Sequence, residues 1–170
     1  EELTKLAKNS PIGSKNLITL PYFSGERTPI QNPKASGVLF GLNLTHTRED
    51  IYRSLLEGIS YGANHIIETF VSSGFEPKNL FAVGGGVKNE IWIDSVSNIS
   101  GFDQILKSKT IGAAYGNAFL GALSLGHVER NDIDSWNRTS RIIKARFNPI
   151  YSKQYELFKA LYESTAHLMG

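Results

Sequence analysis

Cysteine is absent from the 170 residues, which excludes a disulfide framework and any thiolate metal site and suits a reducing compartment such as the cytoplasm. Long apolar runs are missing too. The least polar stretch, from Ile111 to Gly126, is broken by Asn117 and made mostly of small residues, shorter than a bilayer requires, so no membrane span is expected. Charge of one sign is scarce: the net charge is +2, with Lys and Arg dispersed among Asp and Glu. No basic stripe is present to neutralise a polynucleotide backbone, and nucleic acid is not an expected partner. His46, His65, His127 and His167 lack the one-turn helical spacing of a metal-binding pair, and no Ser-His-Asp order suggests itself, so zinc and hydrolytic chemistry are not indicated. Asn43-Leu-Thr45, Asn98-Ile-Ser100 and Asn137-Arg-Thr139 match the glycosylation acceptor pattern, a short pattern read here as chance.

What is present is enough for one core. Hydrophobic residues make up 41% and charged residues 20%, the balance of a single globular domain or a piece of one. The opening Glu-Glu-Leu-Thr-Lys carries charge where a signal peptide needs apolar residues and reads as a helix entered partway along, so the chain is expected to begin inside a larger protein.

Short extended runs at Leu17–Leu20 and Val38–Phe40 predict strands around a long glycine- and proline-marked loop. Thr47-Arg-Glu-Asp50 has capping-box spacing and opens an apolar series at Ile51, Leu55, Ile59, Ala63, Ile66 and Phe70, predicting a long amphipathic helix stopped by Gly74. Leu80–Val83 is expected to be a buried strand ending in Gly84-Gly85-Gly86. Asn89 caps a helix with Trp92, Val96 and Ile99 on one face, and Gln104–Leu106 is a further strand. A helix from Thr110 is rich in Gly112, Ala113, Ala114, Gly116, Ala118, Gly121 and Ala122, which predicts close packing against a neighbour. After an extended Arg141–Ala145, Asn148 and Pro149 announce a last helix with Tyr151, Tyr155, Phe158 and Tyr162 on one face. Alternating strands and helices imply an α/β layer structure.

Three glycines between a strand and a helix permit a tight turn and uncover backbone N–H groups. By themselves they are equally compatible with phosphate or adenosine contact and with a crowded turn that holds nothing. Asn89 stands where a dinucleotide fingerprint needs glycine, and no Gly-Lys-Ser/Thr follows, so a dehydrogenase and a P-loop ATPase are disfavoured. Asn89 itself fits a plain helix cap or a capping residue that also faces a ligand. Glu26 and Arg27 fit either cleft residues or an internal ion pair.

Pro21-Tyr-Phe-Ser-Gly-Glu-Arg-Thr-Pro29, Gly37-Val-Leu-Phe-Gly-Leu42, Gly84-Gly-Gly86 with Asn89 and Trp92, and Gly112-Ala-Ala114 together resemble the FGGY carbohydrate kinases, the xylulose kinases among them most of all, in family order over roughly residues 17 to 126. The resemblance implies an actin-like ATPase (ribonuclease H-like) fold with a mixed sheet flanked by helices. Residues 1–170 would be the C-terminal portion of the nucleotide-binding domain of a two-domain kinase, with the N-terminal sugar-binding domain absent. It implies ATP and Mg²⁺ as cofactors, and a small-molecule sugar bound through that absent domain. Gly85 and Asn89 would contact adenosine while Gly84 and Gly86 shape the turn. The catalytic aspartate would lie upstream, so the chain alone is expected to be inactive. Ser36, Asn98 and Lys107 stand where xylulose kinases commonly have Arg, Asp and Glu, which leaves gluconate, ribulose or another polyol open as the sugar. Rival readings are a non-catalytic nucleotide-binding or interaction module on the same fold, and a purely structural α/β domain. Helices without their usual partner would expose apolar surface, which promotes self-association and admits a homodimer.

Overall fold

The computed structural model describes residues 2–110 and 112–170. The chain opens with α1 (Glu2–Ala7), followed by an antiparallel pair, β1 (Ile18–Leu20) and β2 (Val38–Phe40). The long helix α2 (Arg48–Ser72) leads to β3 (Leu80–Ala82), α3 (Glu90–Ser100) and β4 (Gln104–Lys107), a strand–helix–strand unit whose two strands are parallel. Then come α4 (Gly112–Ser124), the single turn α5 (Ile133–Trp136), β5 (Thr139–Ile143) and α6 (Pro149–Thr165). β5 runs antiparallel to β4, giving the order β3-β4-β5. The sheet is therefore mixed and flanked by helices. Among the described residues no helix is long and apolar enough to cross a membrane.

The start of α2 is set by Thr47 and Asp50, whose carboxylate accepts from the Thr47 backbone N–H at 2.9 Å. Its end is set by Gly74 at φ +85, a conformation that costs glycine little. The predicted helix is there, but its inward face differs. Ile59 and Phe70 of the apolar series are exposed, and α2 instead buries Asp50, Ser54, Glu57, Ser60 and Tyr61 beside Leu56. The reason is close approach to β1. A Cβ on Gly58 would lie 2.3 Å from the Thr19 carbonyl oxygen, and the Ser54 and Thr19 hydroxyls are 2.9 Å apart. Hydrogen-bonded small residues fit that gap and branched apolar ones do not.

The buried carboxylates on this face are both satisfied, as burial demands. Asp50 accepts from Ser10 Oγ at 2.7 Å and Lys15 Nζ at 2.8 Å. Burial pushes its carboxyl up, but the bonds from Lys15, Ser10 and Thr47 outweigh that and hold it well below the usual carboxylate range. Glu57 accepts from Gly13 N at 3.1 Å, Ser14 Oγ at 2.8 Å and Arg53 Nε at 2.8 Å. These bonds pin a run of left-handed backbone, Gly13 to Asn16 (φ 80, 48, 53 and 69), which costs about 1–2 kcal/mol at each non-glycine position.

The main core lies where α6 crosses β1. Tyr151, Tyr155, Phe158 and Leu161 pack with Ile18, Leu20, Tyr22 and Tyr61, and the rings of Tyr61 and Phe158 sit 5.6 Å apart. Asn148 caps α6 by accepting from Ile150 N at 3.0 Å, with Pro149 in the first turn, as the sequence predicts.

Two further expectations fail. β3 is an edge strand rather than a buried one, with Phe81 51% and Val83 58% exposed. The small-residue helix α4 buries only Phe119, and a Cβ on Gly112, Gly116 or Gly121 would meet nothing within 4 Å. No close helix contact within the described residues explains its glycines. The helix starts at Gly112, Ile111 lies outside the described residues, and α4 is held through Tyr115, whose hydroxyl donates to the Trp136 carbonyl at 2.9 Å, and through the Phe119–Trp136 ring contact at 5.5 Å.

Candidate functional site

The glycine turn is built by the strand before it and the cap after it. β3 ends at Ala82, and Gly84 takes φ 91, ψ −174, a combination essentially restricted to glycine. Its N–H donates to the Thr110 carbonyl at 3.1 Å, tying the turn to the segment that leads into α4. Gly85–Lys88 then form a short 3-10 turn. Asn89 follows as cap of α3, its Oδ1 accepting from Trp92 N at 3.3 Å.

The three glycines differ in what holds them to glycine. Gly84 is fixed by its backbone. Gly86 is fixed by packing, since a Cβ there would lie 2.1 Å from Trp92 Cζ3. At Gly85 the backbone is ordinary and a Cβ would meet nothing within 4 Å. Asn89 is more committed to structure than the sequence suggests: besides the cap, its Nδ2 donates to Thr4 Oγ1 and to Tyr52 Oη, each at 3.3 Å, so it joins α1, α2 and α3.

Beside the turn lies an open cavity of about 370 Å³, lined by Gly85, Lys88, Asn89 and Glu90 and, from the α1 side, by Thr4, Lys5 and Lys8. Gly84 and Gly86 do not line it. The α1 residues escaped the sequence reading because no spacing along the chain links them to Asn89; the link is a tertiary hydrogen bond across 85 positions.

A larger groove, about 570 Å³, shares Lys8 and Glu90 with this cavity and continues past Asp94, Asn98, Arg146 and Tyr151. Burial, with the Glu90 carboxylate nearby, raises the Asp94 carboxyl above its ordinary value. This groove has no glycine backbone open to a ligand and holds none of the predicted site residues, so the smaller cavity is the candidate site.

Glu26 and Arg27 do not form the ion pair that was one of their two readings. Glu26 Oε1 accepts from the backbone N–H groups of Arg27 and Thr28 at 2.7 and 3.2 Å, stiffening the loop, and both residues line a separate shallow cavity with Gln31 and Pro33. The three atypical positions have local partners. Ser36 N approaches Met169 Sδ at 3.4 Å, Asn98 Oδ1 accepts from Arg146 N at 2.8 Å, and Lys107 reaches Asp134 at 3.4 Å while lying over the Phe81 ring. Among the described residues no group of three or more His, Asp or Glu side chains is arranged to hold a metal ion.

Residues 1–125 match the model of the FGGY family of carbohydrate kinases, C-terminal domain. The chain is 33% identical over 158 residues to a xylulose kinase of Escherichia coli, a match covering 89% of this chain and 32% of that protein. It is 30% identical over 172 residues to a gluconokinase of Bacillus subtilis, covering 98% of this chain and 33% of that one. The crystal structure of ligand-bound xylulose kinase from Lactobacillus acidophilus superposes with a TM-score of 0.87 at 25% identity, covering 99% of this chain and 35% of that one. The chain thus spans about a third of the length of the relatives it matches.

Proposed function

The chain belongs to the FGGY family of carbohydrate kinases, as part of that family's C-terminal domain with its actin-like ATPase fold, and from this premise we propose that it supplies part of the ATP site of an enzyme that phosphorylates a sugar hydroxyl. A pentulose such as xylulose is the first candidate substrate, because xylulose kinases recur among the similar proteins; the gluconokinase likeness makes gluconate the next to test. In this reading residues 1–170 are the C-terminal portion of the nucleotide-binding domain, and the sugar-binding domain lies outside them. A cytoplasmic setting fits both the ATP requirement and the lack of cysteine.

The observation that carries the nucleotide reading is Gly85. Its neighbours are glycine for reasons internal to the fold, whereas Gly85 faces open space in the cavity. A bare backbone there lets a ligand approach closely. Asn89 borders the same cavity with its amide held in place by Thr4 and Tyr52, which pre-orients it beside a bound adenosine. Phosphoryl transfer further needs a carboxylate to take the hydroxyl proton and a metal ion to neutralise phosphate charge. In this reading the catalytic aspartate comes from outside residues 1–170, and the chain's own task is to bind and orient the nucleotide.

Calorimetric titration with ADP tests this. Wild type is expected to bind and Gly85→Val to lose binding while keeping its circular dichroism spectrum, since a Cβ at that position has no protein atom within 4 Å. Unchanged ADP affinity in a folded Gly85→Val would refute the site. The 170-residue chain should show no sugar phosphorylation by itself.

A further inference from the structure

Asn89 lines the cavity beside Gly85, and its hydrogen bonds decide what it can offer there. The Trp92 backbone N–H can only donate, so the amide atom facing it at 3.3 Å is Oδ1 and the other end is the NH₂ group. That group carries two protons, and the fold supplies two hydroxyl oxygens for them, Thr4 Oγ1 of α1 and Tyr52 Oη of α2, each at 3.3 Å. Both donors are therefore spent. Oδ1 has two lone pairs and gives one to Trp92 N, so the other is all that the side chain has left for a ligand. Partners on α1, α2 and α3 hold the amide in this sense, and Asn89 meets the cavity as an acceptor only.

We propose that Thr4 and Tyr52 are positioning residues that set the base preference of this site: by taking both Asn89 donors they leave an acceptor, which suits the 6-amino group of adenine and opposes the 6-oxo group of guanine. This rests on the nucleotide reading above, with the base lying against the uncovered backbone of Gly85. Adenine brings an N–H to the remaining Oδ1 lone pair. Guanine brings a carbonyl oxygen, so two acceptors meet with no proton between them. Such a mismatch discriminates more strongly than shape does, because the wrong base leaves its own polar group and that of the protein unpaired. Tyr52 does not line the cavity and acts through Asn89.

The test titrates ADP and GDP separately into the 170-residue chain, as wild type, Thr4→Ser, Tyr52→Phe and the double variant Thr4→Val, Tyr52→Phe. Circular dichroism verifies that each is folded; Tyr52→Phe keeps the ring that packs beside Ala7, Leu56 and Ile91 and removes only the hydroxyl. Wild type should bind ADP at least about tenfold more tightly than GDP. In the double variant both Asn89 protons are free to meet the guanine oxygen, so GDP binding should tighten and the preference shrink to about threefold or less. Tyr52→Phe alone should move the preference in the same direction, and Thr4→Ser, which keeps the hydroxyl, should retain it. Equal wild-type affinity for ADP and GDP, or a double variant that weakens both alike with its preference unchanged, would overturn the assignment of Thr4 and Tyr52 while leaving the nucleotide site intact. Wild type that binds neither compound would remove the nucleotide site and the assignment together.

Discussion

At Gly86 the obstacle to a side chain is the indole of Trp92, which cannot swing aside freely because it packs against the cluster of Ala7, Leu56 and Ile91. Gly86→Ala is therefore expected to destabilise the fold by about 1–3 kcal/mol, the usual range for overpacking, whereas Gly85→Ala should shift it by less than about 0.5 kcal/mol. Urea unfolding of the two variants makes the comparison, and equal effects would mean that the division of roles along the turn is wrong. The turn and the Asn89 cap were legible in the sequence because each is a local pattern of a few residues. What lay beyond reading was which glycine is held by which force, since that depends on a ring six residues further on and on open space beside α1. Lys5 and Lys8 were equally hidden, because nothing in the spacing of the chain brings residue 4 beside residue 89.

Among the elements, α4 and α6 make the contrast. Both were predicted as helices and both are helices, because capping, periodicity and propensity act within a single segment. Their packing was legible only for α6, whose aromatic stripe is the buried face. In α4 the small residues were expected to lie against a neighbour, yet they face outward and the helix is held by Tyr115, Phe119 and the ring of Trp136. A helix with so little buried surface opens at low free energy. Hydrogen exchange should show the amides of residues 116–124 exchanging at least about tenfold faster than those of residues 153–161, and similar protection in the two segments would contradict the packing described. In α2 the apolar periodicity marked a helix correctly but not its inward side, because the close approach of Gly58 to Thr19 selects small hydrogen-bonding residues over large apolar ones.

For the whole molecule, outward apolar side chains are spread over several elements, among them Phe40 on β2, Phe70 and Val71 on α2, Phe81 on β3, Leu120 on α4 and Ile142 on β5. The outer edge of β3 pairs with no strand among the described residues, and exposed edges and apolar surface both favour association. The 170-residue chain is expected to sediment as concentration-dependent oligomers, and Phe81→Lys, which places charge on that edge, to shift it toward monomer. A concentration-independent monomer in analytical ultracentrifugation would contradict this.

The contact of α6 with β1 bears on how the chain is made. Gln154 Nε2 donates to the Gly13 carbonyl at 2.6 Å, and Asn32 Nδ2 donates to Tyr162 Oη across 130 positions, so the segment from Gly13 to Asn32 completes its core only when the helix beginning at Pro149 has followed it out of the ribosome. Until then Ile18, Leu20 and Tyr22 have Tyr61 of α2 but lack the aromatic side chains of α6, and synthesis at about 5–20 residues per second leaves that side of the core uncovered for several seconds, a window in which exposed apolar surface is open to aggregation.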